Sequence, residues 1–112
     1  MNNREAVAAT IEPYNVSDES IDKALIDAGE RFGENPPETE YTLQGKKCVA
    51  LASMLCLSRL RVLAAENIGG ISQTYAVSKL EKSIQAIASD AGISADLVLA
   101  DDSENVVSCI SI

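Results

Sequence analysis

The sequence lacks histidine and tryptophan altogether and has few aromatic residues of any kind. The aromatic side chains are Tyr14, Phe32, Tyr41 and Tyr75, so the core must be built from aliphatic residues. A core rich in alanine and leucine favours helices over sheets. Without histidine, a Ser–His or Cys–His catalytic pair is impossible, and the usual zinc-ligand patterns are excluded as well.

The three cysteines form no recognisable motif. Cys48 and Cys56 lie eight residues apart within an apolar run, and Cys109 lies near the C-terminus. The absence of a C-x-x-C pair argues against a redox or metal-binding role. We therefore expect the cysteines to act as small hydrophobic side chains. We also expect no catalytic residue, no cofactor and no metal site, and hence no enzyme activity.

The longest apolar run covers residues 48–57 and is interrupted only by Ser53. It is about half the length of a membrane span, which needs about 20 apolar residues, so no membrane crossing is expected. Within the helix predicted here, one apolar stripe contains Val49, Ala52, Cys56, Leu60 and Leu63, and a second contains Leu51, Leu55 and Val62. Two stripes predict packing partners on two sides of this helix.

The whole chain fits one all-α domain, a small bundle of three to four helices around one long central helix. Ser17 is the predicted cap of the second helix and Gly33 its stop. The predicted segments are an N-terminal helical pair (1–33), a Pro-rich acidic linker (34–42), the central helix (43–68), an extended arm or loop (69–77), C-terminal helices (78–100) and a tail (101–112). Gly45 would let the central helix begin one turn later, and the final VVSCISI predicts a short strand or an ordered tail.

In residues 71–77, the larger side chains Ile71, Gln73, Tyr75 and Val77 alternate with Ser72, Thr74 and Ala76, a period typical of an extended segment. They lie between Gly69–Gly70, expected to end the central helix, and a capping box that starts at Ser78. No second strand is available to pair with them, so they form either an ordinary loop or an arm that contacts another chain. As an arm, the segment would contact its partner through Ile71, Gln73, Thr74, Tyr75 and Val77.

Charge is distributed unevenly along the chain. Residues 1–40 carry ten acidic and three basic side chains, residues 41–82 carry six basic and two acidic ones, and residues 83–112 carry five acidic ones and no basic one. This pattern indicates either solvated acidic faces or complementarity between neighbouring copies. No basic stripe is interleaved with aromatic residues, so specific nucleic-acid recognition is not expected. The polar start, without an apolar leader, predicts a soluble intracellular chain.

The order of these parts resembles the small head-tail connector (adaptor) proteins of tailed bacteriophages and prophages. The resemblance covers residues 4–92: an acidic helical pair, a long helix ending in RLRVLAAENIGG, and ISQTYAVSKLEKSI before the last helix. Its local motif is G-x-S-x-x-Y-x-V, from Gly70 to Val77. The VVSCISI tail is not part of the family pattern.

The resemblance implies a structural subunit that self-associates into a ring and joins the portal of the DNA-filled head to the tail. Portal and tail proteins would be its partners, with residues 71–77 facing a neighbouring subunit or the portal. It would be found in the virion or, if encoded by a prophage, in the bacterial cytoplasm. The alternative is a small acidic helical module that regulates or binds a basic protein partner.

Overall fold

The computed structural model describes the backbone of residues 1–66 and 71–99, and the side chains of residues 1–62 and 77–99. The elements are α1 (Asn3–Thr10), α2 (Asp18–Phe32), a short 3-10 helix (Leu43–Gly45), α3 (Lys46–Glu66) and α4 (Ile71–Ala91). One further helical turn covers residues 96–99. The described part of the chain has no strand, and the predicted all-α class is confirmed. The predicted C-terminal strand lies outside the described residues.

Local sequence signals account for the ends of the first two helices. The Asn2 side chain accepts a hydrogen bond from the Glu5 N–H at 2.8 Å, and the Glu5 carboxylate accepts one from the Asn2 N–H at 2.9 Å. This reciprocal capping box starts α1. Ser17 caps α2 as predicted, and α2 ends at Gly33, whose φ of 96° is readily available only to glycine.

α3 is the central helix, and it contacts α1, α2 and α4. Ion pairs from Lys46 to Asp90 (3.6 Å) and from Arg61 to Glu81 (3.6 Å) show that α4 runs antiparallel to α3. α2 also runs antiparallel to it, because Leu25 lies beside Cys48 while Ser20 lies near Arg59. The long central helix is therefore confirmed, and it begins after Gly45.

Burial of α3 varies along its axis more than around it. Between residues 48 and 57 every side chain is buried except Leu55, which is half-buried. Farther along, Leu60 is half-buried and Val62 is 42% exposed; Leu63 lies outside the described side chains. Of the second predicted stripe only Leu51 is buried: Leu55 is half-buried within the part of α3 that the other helices surround, and Val62 lies beyond that part.

The acidic linker is fastened to the start of α1. The backbone N–H groups of Asn3 and Arg4 donate to the carbonyls of Thr39 (2.9 Å) and Pro37 (3.0 Å), and the Asn3 side-chain amide donates to the Pro36 carbonyl at 2.8 Å. The first N–H groups of a helix have no partner within the helix. The linker supplies these partners, so it is part of the folded body.

The prediction of an extended segment at residues 71–77 is wrong. These residues form the first two turns of α4, and the Ser78 capping box lies inside that helix and does not start it. Val77, Leu80 and Ile84 keep helical spacing across the supposed boundary, and Leu80 and Ile84 are buried. Packing against α3 and internal hydrogen bonding favour the helix, because a lone strand would leave its backbone groups unpaired.

Arg4 links α1 to α2 through Asp22. Its Nε and Nη2 atoms donate to the two carboxylate oxygens of Asp22 at 2.8 and 2.9 Å, a paired geometry that is stronger than a single contact. The hydrogen bond from Arg4 lowers the pKa of Asp22, against an opposing effect of burial. Lys23 and Asp27 form a comparison pair at 2.8 Å, exposed and within one helix.

We expect Arg4→Gln to lower the melting temperature at pH 7 more than the control Lys23→Gln, since only Arg4 joins two helices. Because the pKa of Asp22 is lowered in the folded state, this stabilisation is complete above the ordinary aspartate pKa of about 3.9. It is lost as pH falls through the lower folded value. Thermal circular dichroism from pH 7 down to acid should show the gap between wild type and Arg4→Gln narrowing. Equal melting temperatures for the two variants at pH 7 would contradict the assignment.

Leu57 and Leu55 provide a matched test of core burial. Leu57 has 0% exposure, whereas Leu55 is half-buried on the same helix. We expect Leu57→Ala to lower the free energy of unfolding by about 2–5 kcal/mol, since it leaves a cavity. Leu55→Ala should cost clearly less. Urea titrations measure both, and an equal loss would show that the surroundings of Leu55 are as closed as those of Leu57.

Candidate assembly interface

The α3–α4 hairpin extends beyond the helices that cover its base. Among the described side chains, none of α3 after Leu57 is buried, and none of α4 before Leu80 is buried. α2 begins at Asp18, and its first turn lies near Arg59, so the remainder of α3 continues past it. We call residues 58–66 and 71–79 the hairpin arm. Its two helices have each other as their main packing partners.

The base of the hairpin arm is basic. The hairpin arm carries three basic side chains, Arg59, Arg61 and Lys79, and one acidic side chain, Glu66. Arg61 pairs with Glu81 at 3.6 Å across the two helices, while the side chains of Arg59 and Lys82 are exposed. Arg59 and Val62 are three residues apart and therefore share one face of α3. This face combines a cation with an exposed aliphatic side chain.

An acidic groove lies between the C-terminal half of α2 and the linker. Its volume is about 430 Å³. Leu25 forms its buried floor, Pro36 and Pro37 form one wall, and the rim carries Ile26, Glu30 and Glu34, with Gly29 and Asn35 completing the lining. Ile26 is 64% exposed, a high value for a large aliphatic side chain. No basic side chain is among the described residues that line this acidic groove.

Close packing behind the acidic groove holds its wall in place. The Asn35 side chain donates to the Gly33 carbonyl at 3.0 Å and approaches Gly45 so closely that a Cβ there would lie 2.5 Å from Asn35 Oδ1. Glycine at position 45 therefore allows the linker to lie directly against the start of α3. The linker that forms the groove wall is consequently packed against the start of the central helix.

The acidic groove and the hairpin arm lie at opposite ends of α3. Leu25 on the groove floor contacts Cys48 in the first turn of α3, whereas the arm begins at Ser58 and continues to Glu66. With a rise of 1.5 Å per residue, the 21 residues of α3 span about 30 Å. Cys48, beside the groove floor, is therefore about 15 Å along the helix axis from the base of the arm at Ser58.

Comparison with known sequences places the chain in a family. The family of unknown function DUF6706 matches residues 1–111. The chain belongs to this family. No curated protein and no solved structure matches it. The matched range includes both the acidic groove and the hairpin arm, so both surfaces lie within the unit that defines the family.

The site residues predicted from sequence lie in the hairpin arm. Ile71, Gln73, Thr74 and Tyr75 belong to the first turns of α4, and their side chains are outside the described set. Val77 is half-buried. Their proposed role in contacting a partner stays a prediction. Sequence reasoning missed the acidic groove, because its lining comes from α2 and the linker, and their approach depends on the hydrogen bonds between the linker and α1.

Titratable groups with shifted pKa values have structural explanations. Burial raises the pKa of the Cys56 thiol to about 11 and also raises that of Cys48. The remaining shifts, at Arg4 and Asp22, come from their mutual hydrogen bonds. Among the described side chains, those of residues 1–62 and 77–99, no cluster of cysteine and carboxylate groups could hold a metal ion. Within residues 1–66 and 71–99, no helix is both long enough and apolar enough to span a bilayer.

Thiol reactivity tests the packing around α3. Cys48 and Cys56 are both buried. In a Cys109→Ser variant, both should therefore react slowly with a thiol reagent at pH 8. Thiolate is the reactive form, and a pKa of about 11 leaves little of it at Cys56. Both thiols should react rapidly in denaturing urea. Rapid reaction of both in native buffer would show that this part of α3 is open to solvent.

Proposed function

We propose that this protein is a structural assembly subunit, comparable in role to the head-tail connectors of tailed bacteriophages, which forms a ring between a portal and a tail. The supporting observation is the hairpin arm, whose described side chains are incompletely covered and whose base is basic. The rest of the body carries most of the acidic residues. A subunit with unlike ends can associate head to tail with copies of itself.

The N-terminal part of the chain supplies many carboxylates for the proposed contact. Residues 1–40 contain ten acidic side chains, of which Asp22, Asp27 and Glu40 pair with cations of the same chain at 3.3 Å or less. Glu12, Glu19, Glu30 and Glu34 are exposed. These exposed carboxylates offer a surface for the basic part of another molecule. Portal and tail proteins remain the proposed further partners, and the virion or the bacterial cytoplasm the proposed location.

The helical form of residues 71–77 changes how they would serve as an interface. In a helix, residues four apart lie on the same face, so the apolar pair Ile71 and Tyr75 shares one face of α4 near the start of this helix. Thr74 lies beside this face, whereas Gln73 and Val77 are two residues from Tyr75 and lie on the other side of α4. A single partner on the Ile71–Tyr75 face would therefore not contact all five predicted residues. A helix satisfies its own backbone groups, so contact would occur through side chains rather than by strand pairing.

A small acidic regulator that binds a basic protein is the second candidate. The excess of acidic side chains in residues 1–40 favours it. Such a module would remain a monomer or simple dimer by itself, whereas a connector subunit would form larger assemblies of uniform size. Self-association in the absence of any partner therefore separates the two functions.

Mass photometry and negative-stain electron microscopy over a range of concentrations test this proposal. We expect the wild-type protein to form closed assemblies of one size. Ile71→Ala combined with Tyr75→Ala should weaken assembly, since it removes the apolar pair near the start of α4. The control Gln85→Ala with Ser89→Ala changes exposed positions in the body of α4 and should assemble normally. A wild-type protein that stays monomeric at every concentration would contradict the proposed function.

A further inference from the structure

The acidic groove and the base of the hairpin arm carry complementary pairs of side chains. On α2, Ile26 and Glu30 are four residues apart and share one face; on α3, Arg59 and Val62 are three apart and share another. We propose that the acidic groove of one copy receives the Arg59–Val62 face of the next copy. This inference rests on the proposed ring assembly and names the two surfaces that form its repeating contact.

Exposed apolar side chains lie on both surfaces of the proposed contact. Ile26 is 64% exposed at the rim of a groove whose floor and wall are Leu25 and two prolines, and Val62 is 42% exposed on α3. Covering both side chains removes apolar surface from water, a gain proportional to the area buried. The groove is concave and Val62 lies on a helix, so the two shapes are suited to each other.

The two surfaces also carry opposite charges. The Glu30 and Glu34 carboxylates line the same groove, and neither has an ion pair with another residue in the described ranges. Two like charges in one groove repel each other, and a cation placed between them relieves the repulsion. Arg59 is exposed, and it forms no ion pair with the described side chains of residues 1–62 and 77–99. A planar guanidinium suits carboxylate contacts of this kind.

The separation of the two surfaces makes the contact intermolecular. The acidic groove lies at the start of α3 and Arg59 lies more than halfway along it, so a molecule cannot fill its own groove with this face. Each copy would give its arm to one neighbour and its groove to another. A contact between unlike surfaces repeats until it closes into a ring or continues as a filament.

Reversing the charges of Glu30 and Arg59 tests the contact between them. Association of the variants is measured by sedimentation velocity at low salt. Glu30→Arg places like charges at the contact, and Arg59→Glu does the same from the other side. Each variant alone should associate at least about tenfold more weakly than the wild type. A mixture of the two variants, or a single chain carrying both changes, should recover association, because every contact can again pair opposite charges.

Matched controls isolate the effect of the contact from that of net charge. Glu12→Arg and Lys47→Glu make the same changes of charge at exposed positions outside both surfaces, and they should associate like the wild type. Thermal melts should show that all variants are folded. Ile26→Ser, which leaves the charges unchanged, should also weaken association and leave the melting temperature nearly unaltered.

The outcomes separate this inference from the proposed function. If the wild type forms closed assemblies but Glu30→Arg and Arg59→Glu assemble equally well, the named contact is wrong and ring assembly stands. If both variants lose association and the exchanged pair does not recover it, direct pairing is also overturned. A wild type that never associates would overturn the inference together with the proposed function.

Discussion

The burial of one part of α3 on nearly all sides is the constraint on which the fold depends. From Cys48 to Leu57 no charged side chain occurs, and every surrounding element must present an apolar face. Ser53 is the one hydroxyl in this run; it donates to the Val49 carbonyl at 2.8 Å and so keeps its hydrogen bond within the helix. A buried polar group without such a partner would be costly. The sequence of the central helix therefore determines how the other helices pack.

The same constraint explains why the molecule has two different ends. α1 and α2 have eight and 15 residues, compared with 21 in each of α3 and α4. Helices of these lengths can surround only part of the longer pair. The first half of α3 gains a closed core, while the second half has α4 as its main neighbour. A partly uncovered end of the α3–α4 hairpin thus arises from unequal helix lengths.

Long apolar patterns predicted the fold well, and short ones did not. The existence of α2 and the central position of α3 follow from helical spacing over many residues, and the Ser17 cap and Gly33 fix the ends of α2. The error at residues 71–77 came from a period-two pattern only seven residues long, which also fits a helix once Val77 is aligned with Leu80 and Ile84. The capping box at Ser78 misled for a related reason: the motif stabilises a helix start but does not prevent a helix from continuing through it.

The acidic groove was hidden from sequence because it depends on contacts between distant segments. The unpaired N–H groups at the start of α1 require acceptors, and the carbonyls of Pro37 and Thr39 supply them, while the Pro36 carbonyl accepts from the Asn3 side-chain amide. Proline has a fixed φ and no N–H to satisfy, so the linker can present its carbonyls to α1 and its rings to the groove. The hydrogen bonds that complete α1 are therefore the same ones that form the groove wall. Any molecule that binds the assembled groove, and not the unfolded chain, stabilises the fold by mass action. Assembly through this surface would thus make folding of the α1–linker unit and association of the subunits mutually reinforcing.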